Sequence, residues 1–310
     1  MLDLFCGGGG LALGFARAGF NVTGVDKSDV AGETFKLNDI GDFVAADLSN
    51  EMIDGYYDVI TGGPPCKPWS TVNTVRRGTK HPDHVLLARF FDHIEANRPR
   101  AFLMENVPAL RNAPILEKQL KRMLGIGYSV ESQTIRYSDF GAPTMRRRLF
   151  VFGSRDENAG IFFRSLLHYR SPPSTVRDAI WYLRDKGKGE APDHEWPDLR
   201  TIEKYAEYYS TGKYGWYILK WNRPSPSFGN IEKTYILHPD SFNGGQTRVI
   251  SVREAWSIMG FERNFRMPKS RGMFVRYQMA VDSVSPCFSA VAAKIVKRIL
   301  DGGVHDTGSA

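Results

Sequence analysis

Short apolar runs and helix-period stripes alternate along the first 150 residues. Met1–Phe5 is an apolar run of strand length, and Leu11–Ala18 is a helical stripe that stops at Gly19. Phe20–Val25, Phe43–Ala46 and Val59–Thr61 follow as strands, the last closed by Gly62-Gly63-Pro64-Pro65. Val85–Ala96 sets Val85, Leu86, Ala88, Phe90, Phe91 and Ile94 at helical spacing. Ala101–Met104 is a fifth strand, Ile115–Leu124 a helix, and Tyr128–Ile135 and Leu149–Phe152 are two more strands. Strands separated by helices predict an α/β fold, a doubly wound and mostly parallel sheet covered on both faces.

The pattern changes near Ser154. From there to about Asn230 the chain is rich in Tyr, Trp, Pro and mixed charge, with weak periodicity. The polar stretch Asp185–Trp196 reads as a loop. This portion predicts a smaller, irregular second domain. Ser285–Leu300 then returns to a clean helix, with Phe288, Val291, Ala292, Ile295, Val296, Ile299 and Leu300 on one face, and 301–310 reads as a frayed tail.

Composition narrows the function classes. The 310 residues are 42% hydrophobic and 24% charged, which fits a globular protein and argues against global disorder. Three cysteines cannot build a disulfide framework, so a reducing, cytoplasmic setting is expected. No apolar run approaches the ~20 residues of a membrane span, and no leader pattern is read before residue 1, so no membrane partner is expected. A formal charge of +7 permits a polyanionic partner without demanding one.

Three features carry candidate chemistry. Asp3-Leu4-Phe5-Cys6-Gly7-Gly8-Gly9-Gly10 lies between a strand and a helix, where glycines let backbone approach a ligand and the helix offers free N–H groups. Asp26, 23 residues after Asp3, sits at the usual spacing of a ribose-hydroxyl acceptor, and Asp47 ends the third strand, placed to meet an adenine amino group. The loop lacks the Lys-Ser/Thr of a phosphate-gripping P-loop. The alternative is a tight turn with two solvated carboxylates. Cys66 follows Pro64-Pro65 at a strand end, a position where ligands bind in this architecture. Lys67 beside it would favour the nucleophilic thiolate; an inert buried cysteine is the alternative. Cys6 and Cys287 have only that second reading as thiols. Glu105, closing the fifth strand, would supply a proton donor beside the nucleophile; alone it could equally be a helix-start acid or an ion-pair partner.

Taken together and in this order, the motifs resemble the S-adenosylmethionine-dependent DNA cytosine-C5 methyltransferases over residues 1 to about 300. The glycine run resembles that family's cofactor loop, Pro64-Pro65-Cys66 its nucleophile motif, and Glu105-Asn106-Val107 its acidic motif. Asp139–Arg148 resembles its arginine motif, with Arg146 and Arg148 in the two arginine positions. Arg248–Phe261 resembles the segment organising the target-recognition domain, and Tyr277–Pro286 the last motif. The resemblance implies a catalytic domain of residues 1–153 and 276–310, interrupted by a target-recognition domain at 154–275. It implies a cofactor set of Phe5, Cys6, Gly7, Gly9, Asp26, Lys27, Asp47, Leu48, Pro65 and Ser283. It implies catalytic roles for Cys66, Glu105, Arg146 and Arg148, and DNA contacts by Lys67, Ser70, Arg76, Arg77, Lys80 and Arg271, with no metal. The implied partner is double-stranded DNA, and the implied setting is a monomer in a prokaryotic or phage restriction–modification context.

The implied mechanism starts from the poor nucleophilicity of cytosine C5. Thiolate addition at C6 creates an enamine; Glu105 protonates or hydrogen-bonds N3, and the arginines hold O2 or a nearby anion. The base must first be flipped out of the duplex. Lys67–Pro82 would form a mobile catalytic loop gripping phosphates, or simply a solvated loop. Arg263, Arg266, Lys269, Arg271 and Arg276 would suit a phosphate backbone, or form a solvated basic face. Tyr205–Trp221 would meet bases or form a small core. The chain departs from the family pattern at Lys67, Trp69, Thr144 and, in the last motif, Val281-Asp282 in place of Gly-Asn. An Asp there could favour a cationic sulfonium. A tRNA cytosine-5 methyltransferase and a catalytically silent DNA-binding relative are the alternative functions.

Overall fold

The computed structural model describes residues 1–65, 85–199, 201–212, 216–229, 231, 236–269 and 271–303. In chain order the first half runs β1 (Leu2–Leu4), α1 (Gly10–Arg17), β2 (Thr23–Asp26), α2 (Asp29–Leu37), β3 (Asp42–Ala45), β4 (Val59–Gly62) and α3 (Leu86–Asn97). It continues with β5 (Ala101–Asn106), α4 (Pro114–Gly125), β6 (Ser129–Arg136) and β7 (Arg147–Ser154). The strands form one sheet in the order β3-β2-β1-β4-β5-β7-β6. The pairs from β3 to β5 are parallel, and β7 inserts antiparallel between β5 and β6. The predicted doubly wound, mostly parallel sheet is therefore present. The reversal follows from the connection, because β6 reaches β7 without an intervening α-helix and a parallel neighbour needs a crossover.

Burial explains the short strands. β1, β4 and β5 are buried along their whole length, as strands covered on both faces must be. One apolar cluster, with Leu87, Phe90, Phe91, Phe102 and Met123, packs α3 and α4 on one face. A second covers the other face and runs on without a break into the chain's second half, through Phe162, Ile180, Trp256, Tyr277 and Phe288.

That second half holds α5 (Gly160–Leu166), α6 (Val176–Ile180), α7 (Ala206–Thr211), β8 (Tyr217–Ile218), β9 (Ile236–Leu237), α8 (Val252–Ile258), α9 (Met273–Asp282) and α10 (Pro286–Leu300). α10 returns to lie on α1: Ser289 Oγ donates to the Gly10 carbonyl at 2.7 Å, and Lys297 Nζ to the Ala18 carbonyl at 2.9 Å. Gly14 makes the approach possible. A Cβ there would lie 2.6 Å from the Ala290 nitrogen, against the α10 backbone. Gly14→Ala is expected to destabilise the protein by roughly 1–3 kcal/mol through overpacking, outweighing the ~1 kcal/mol that Ala gains over Gly in a helix. A thermal unfolding midpoint equal to or above the wild type would refute this contact as a constraint.

Several polar expectations are corrected here. Asp185–Trp196 is a loop, but Asp193, His194 and Trp196 in it are buried. Arg253 and Arg276 share Asp193 at 2.8 and 3.0 Å, and Arg276 also pairs with Glu195. Arg276 is thus an internal ion-pair residue, not part of a basic face. Arg263 lies 4.1 Å over the Tyr182 ring. Glu254 caps α8 with Ser251 and takes two hydrogen bonds from Arg248 at 2.7 and 2.8 Å. Tyr205, Tyr208, Tyr209 and Trp216 pack on one another, the core-forming alternative for that stretch.

Candidate active site

The carboxyl ends of β1, β2, β3, β4 and β5 open on one side of the sheet, where α/β folds bind ligands. β1 leads into the turn 5–9. Phe5, Gly7 and Gly9 there have φ of 57°, 50° and 72°, left-handed values that suit glycine and are strained for Phe5. A Cβ on Gly7 would meet nothing within 4 Å, so this turn has open space on its outer side. Gly8 is different: a Cβ there would come within 2.6 Å of Ser283 Oγ. The turn is therefore packed from behind by the α9–α10 junction, a contact that brings Ser283 to the loop.

Asp26, at the end of β2, accepts N–H bonds from Gly7 at 3.0 Å and Ser28 at 2.9 Å. Asp47 lies beyond β3, half-exposed. The Ser49 N–H holds its carboxyl below the ordinary range, and Lys27 Nζ stands 3.9 Å away. Leu48 beside it is buried, and its carbonyl accepts from Arg89. Beneath the turn, Asp3 is buried and accepts from Thr61 Oγ1 at 2.6 Å; burial pushes its pKa up to about 7, against the pull of that hydrogen bond. Among the described residues its Oδ2 has no hydrogen-bond partner. Burial also pushes the Cys6 thiol up, which suits the inert reading of that thiol.

β4 and β5 frame the other half. Asn106 Nδ2 donates to the Pro64 carbonyl at 3.0 Å, which fixes the backbone entering the Pro64-Pro65 pair. A Cβ on Gly63 would lie 3.1 Å from Glu105 Oε2. Glu105 thus faces the backbone that leads to Cys66. Cys66 itself, with Lys67, Trp69, Ser70, Arg76, Arg77, Lys80 and the rest of the expected catalytic loop, lies outside the described residues.

Glu105 is buried and pairs with Arg148 Nε at 2.8 Å. Burial pushes its pKa up to about 7; the Arg148 charge pulls it down and the Asp282 charge pushes it up. Tyr137, from the turn before β7, is fully buried, and burial and the nearby Glu105 charge both hold its phenol well above the ordinary value.

The structure separates the two arginines of the arginine motif. Arg148 sits on Glu105. Arg146 is buried and donates instead to the backbone carbonyls of Phe228, at 3.1 Å, and Val281. It ties β7 to the end of α9 and does not join the Glu105 pair. Arg271 pairs with Asp29 at the start of α2. A cavity of about 560 Å³ lies elsewhere, lined by Gly189–Glu195, Lys269 and Arg276, and contains none of the strand-end residues just described.

An acid of raised proton affinity at a strand end, beside a glycine turn with acidic acceptors, defines a doubly wound α/β enzyme with its ligand crevice at the switch side of the sheet. The family model for C-5 cytosine-specific DNA methylase matches residues 1–300. The Type II methyltransferase M.FnuDI of Fusobacterium nucleatum is 28% identical over 331 residues, covering 97% of this chain and 94% of the relative. M.NgoPII of Neisseria gonorrhoeae is 29% identical over 306 residues, covering 86% of each. The solved S. pombe Dnmt2 methyltransferase shares the fold with a TM-score of 0.71, over 97% of this chain and 98% of that one, at 16% identity. The chain belongs to the C-5 cytosine-specific DNA methylase family and is a DNA cytosine-5 methyltransferase. Among the described residues no single helix is long and apolar enough to cross a membrane.

Proposed function

We propose that this chain methylates C5 of cytosine in duplex DNA, through covalent addition of Cys66 to C6 of a flipped base, with S-adenosylmethionine as the methyl donor. The observation that carries this reading is Glu105: a buried carboxyl with a pKa of about 7, ion-paired to Arg148 and set against the Gly63–Pro65 backbone that runs into Cys66.

The crevice fits that donor on chemical grounds. Its acids Asp26 and Asp47, with one lysine paired to Asp47, favour a cationic, hydroxyl-bearing guest over a polyphosphate. Asp26 and Asp47 would take the ribose and adenine groups, with Lys27 and Leu48 beside them. Phe5, Cys6, Gly7, Gly9, Pro65 and Ser283 would line the rest. Bound there, S-adenosylmethionine supplies an electrophilic methyl group. Cys66, as thiolate, adds to C6 and pushes an electron pair into the ring. Glu105 gives its proton, or a strong hydrogen bond, to N3, and stabilises the charge that would otherwise remain on the base. Arg148 orients Glu105 through its Nε, donates through Nη1 to the Arg147 carbonyl, and would present its Nη2 group to O2 of the base. After C5 is methylated, N3 returns its proton to Glu105, the C5 proton is lost to solvent, and the thiolate leaves.

Lys67, Ser70, Arg76, Arg77 and Lys80 would hold phosphates around the flipped base. Residues 1–153 and 276–310 would form the catalytic unit and 154–275 the recognition unit, acting as a cytoplasmic monomer. The Type II names of the relatives support a place beside a restriction nuclease. Purified protein with labelled S-adenosylmethionine is expected to label cytosine C5 in duplex DNA, and a 5-fluorocytosine duplex to trap a Cys66-dependent adduct. Label on tRNA alone would reverse the substrate. Absence of both label and adduct, with donor binding demonstrated, would overturn the reading in favour of a silent DNA-binding relative.

A further inference from the structure

The segment that carries Asp47 on from β3 is neither helix nor strand, and side chains of α3 hold its backbone. Within it, the Asn50 and Glu51 N–H groups both donate to the Asp47 carbonyl at 3.0 Å, and the Asp47 N–H donates to Glu51 Oε1 at 2.7 Å. Arg89 brackets this turn. Its Nε donates to the Leu48 carbonyl at 3.1 Å and its Nη2 to the Glu51 carbonyl at 2.9 Å. One guanidinium fork thus spans the turn whose Ser49 N–H holds the Asp47 carboxyl. The next two helical turns of α3 continue the grip. The Ile53 N–H donates to His93 Nε2 at 3.2 Å, so that nitrogen is the acceptor; Nδ1 carries the proton and donates it to the Arg89 carbonyl at 2.7 Å. Asn97 donates to the Ile53 carbonyl and accepts from the Gly55 N–H, both at 2.9 Å.

Arg89, His93 and Asn97 recur every fourth residue, so they form one polar stripe along α3, while Phe90, Phe91 and Ile94 face the core. Polar side chains on such a helix ordinarily meet water. Here they meet the backbone of a single loop about 40 residues earlier in the chain. A merely solvated carboxylate at position 47 needs no such frame. A carboxylate that must receive a ligand does, because a loop already ordered in its binding conformation costs less to bind. We propose that Arg89 is a positioning residue for the methyl donor. Its fork holds turn 47–51 so that the Asp47 carboxyl is set in place before the donor's adenine side arrives, and His93 and Asn97 fix the chain beyond. This rests on the reading of Asp47 as the adenine-side acceptor.

The test is a double-mutant cycle on the full chain without DNA, read by calorimetric titration with S-adenosylhomocysteine, which carries the donor's adenosine. D47A is expected to raise its Kd by about tenfold, and R89M, which keeps an aliphatic stem and loses both carbonyl contacts, by about as much. In the D47A background R89M should add less than about twofold, because Arg89 acts through Asp47. R89K keeps the charge without the fork; it should fall between wild type and R89M, with the same loss of effect in D47A, and it serves if R89M does not fold. In methyl transfer both Arg89 variants should raise KM for the donor, with kcat at saturating donor within about twofold of wild type. If D47A weakens binding while the Arg89 variants bind like wild type, or if the penalties add in full, the proposal is overturned and the donor site stands. If D47A binds like wild type, the adenine-side reading of Asp47 is overturned, and the proposal with it.

Discussion

Cys66→Ala is expected to abolish methyl transfer, a loss of roughly four orders of magnitude or more, as for other covalent nucleophiles, while duplex DNA binding changes by less than about threefold. The asymmetry follows from the chemistry. C5 of cytosine is not nucleophilic until a group adds at C6, so no other side chain can replace the thiolate. Binding draws instead on phosphate contacts spread over many residues. The described residues next to Cys66 are prepared for a fixed position. Gly62 packs against the Leu4 carbonyl and Phe90, and Asn106 holds the Pro64 carbonyl. Labelled methyl incorporation and a gel-shift titration check the prediction. A fall in affinity as large as the fall in rate would assign Cys66 to binding instead of chemistry.

What was legible in the sequence was what depends on short range. The apolar runs of β1, β4 and β5 announce strands covered on both faces, and the stripes of α3 and α10 announce amphipathic helices. α2 escaped because its inner face is only Val30, Ala31, Thr34 and Phe35, interrupted by Gly32. α9 escaped because its buried positions include Arg276. Partners far apart in sequence were invisible. Arg276 looks like a phosphate ligand until Asp193, 83 residues earlier, is found against it. Arg146 resembles a catalytic arginine until the Val281 carbonyl, 135 residues later, claims it. The glycines were half understood. Gly7 does face open space, as a ligand loop requires, but Gly8 and Gly14 are there for the α9–α10 junction and for α10. The four-residue spacing of Gly10 and Gly14 on one helix face was the available signal for that contact.

Glu105→Gln is expected to slow methyl transfer by roughly 10²–10⁴-fold, the range for loss of a general acid, without unfolding the protein. The wild-type rate should decline as pH rises past about 7, because Glu105 must be protonated to serve N3 and its pKa lies near there. That limb should disappear in the variant. Wild-type stability should fall over the same range. The folded pKa of Glu105 lies above its ordinary value of 4.5, so the fold favours the neutral form. The stabilisation this brings is fully present below pH 4.5 and is lost as pH rises through about 7. Gln cannot ionise. Between pH 5 and pH 8 the stability of the variant relative to wild type should therefore shift in the variant's favour, by roughly 1–3 kcal/mol. Thermal unfolding at the two pH values reads this directly. A gap that does not move with pH would mean that Glu105 ionises as an ordinary carboxyl, and wild-type rates in the variant would remove it from the reaction. The two effects share one origin. The fold tolerates a buried carboxyl that is costly to ionise at neutral pH, held against Arg148, because only a carboxyl that still carries its proton there can pass it to the base.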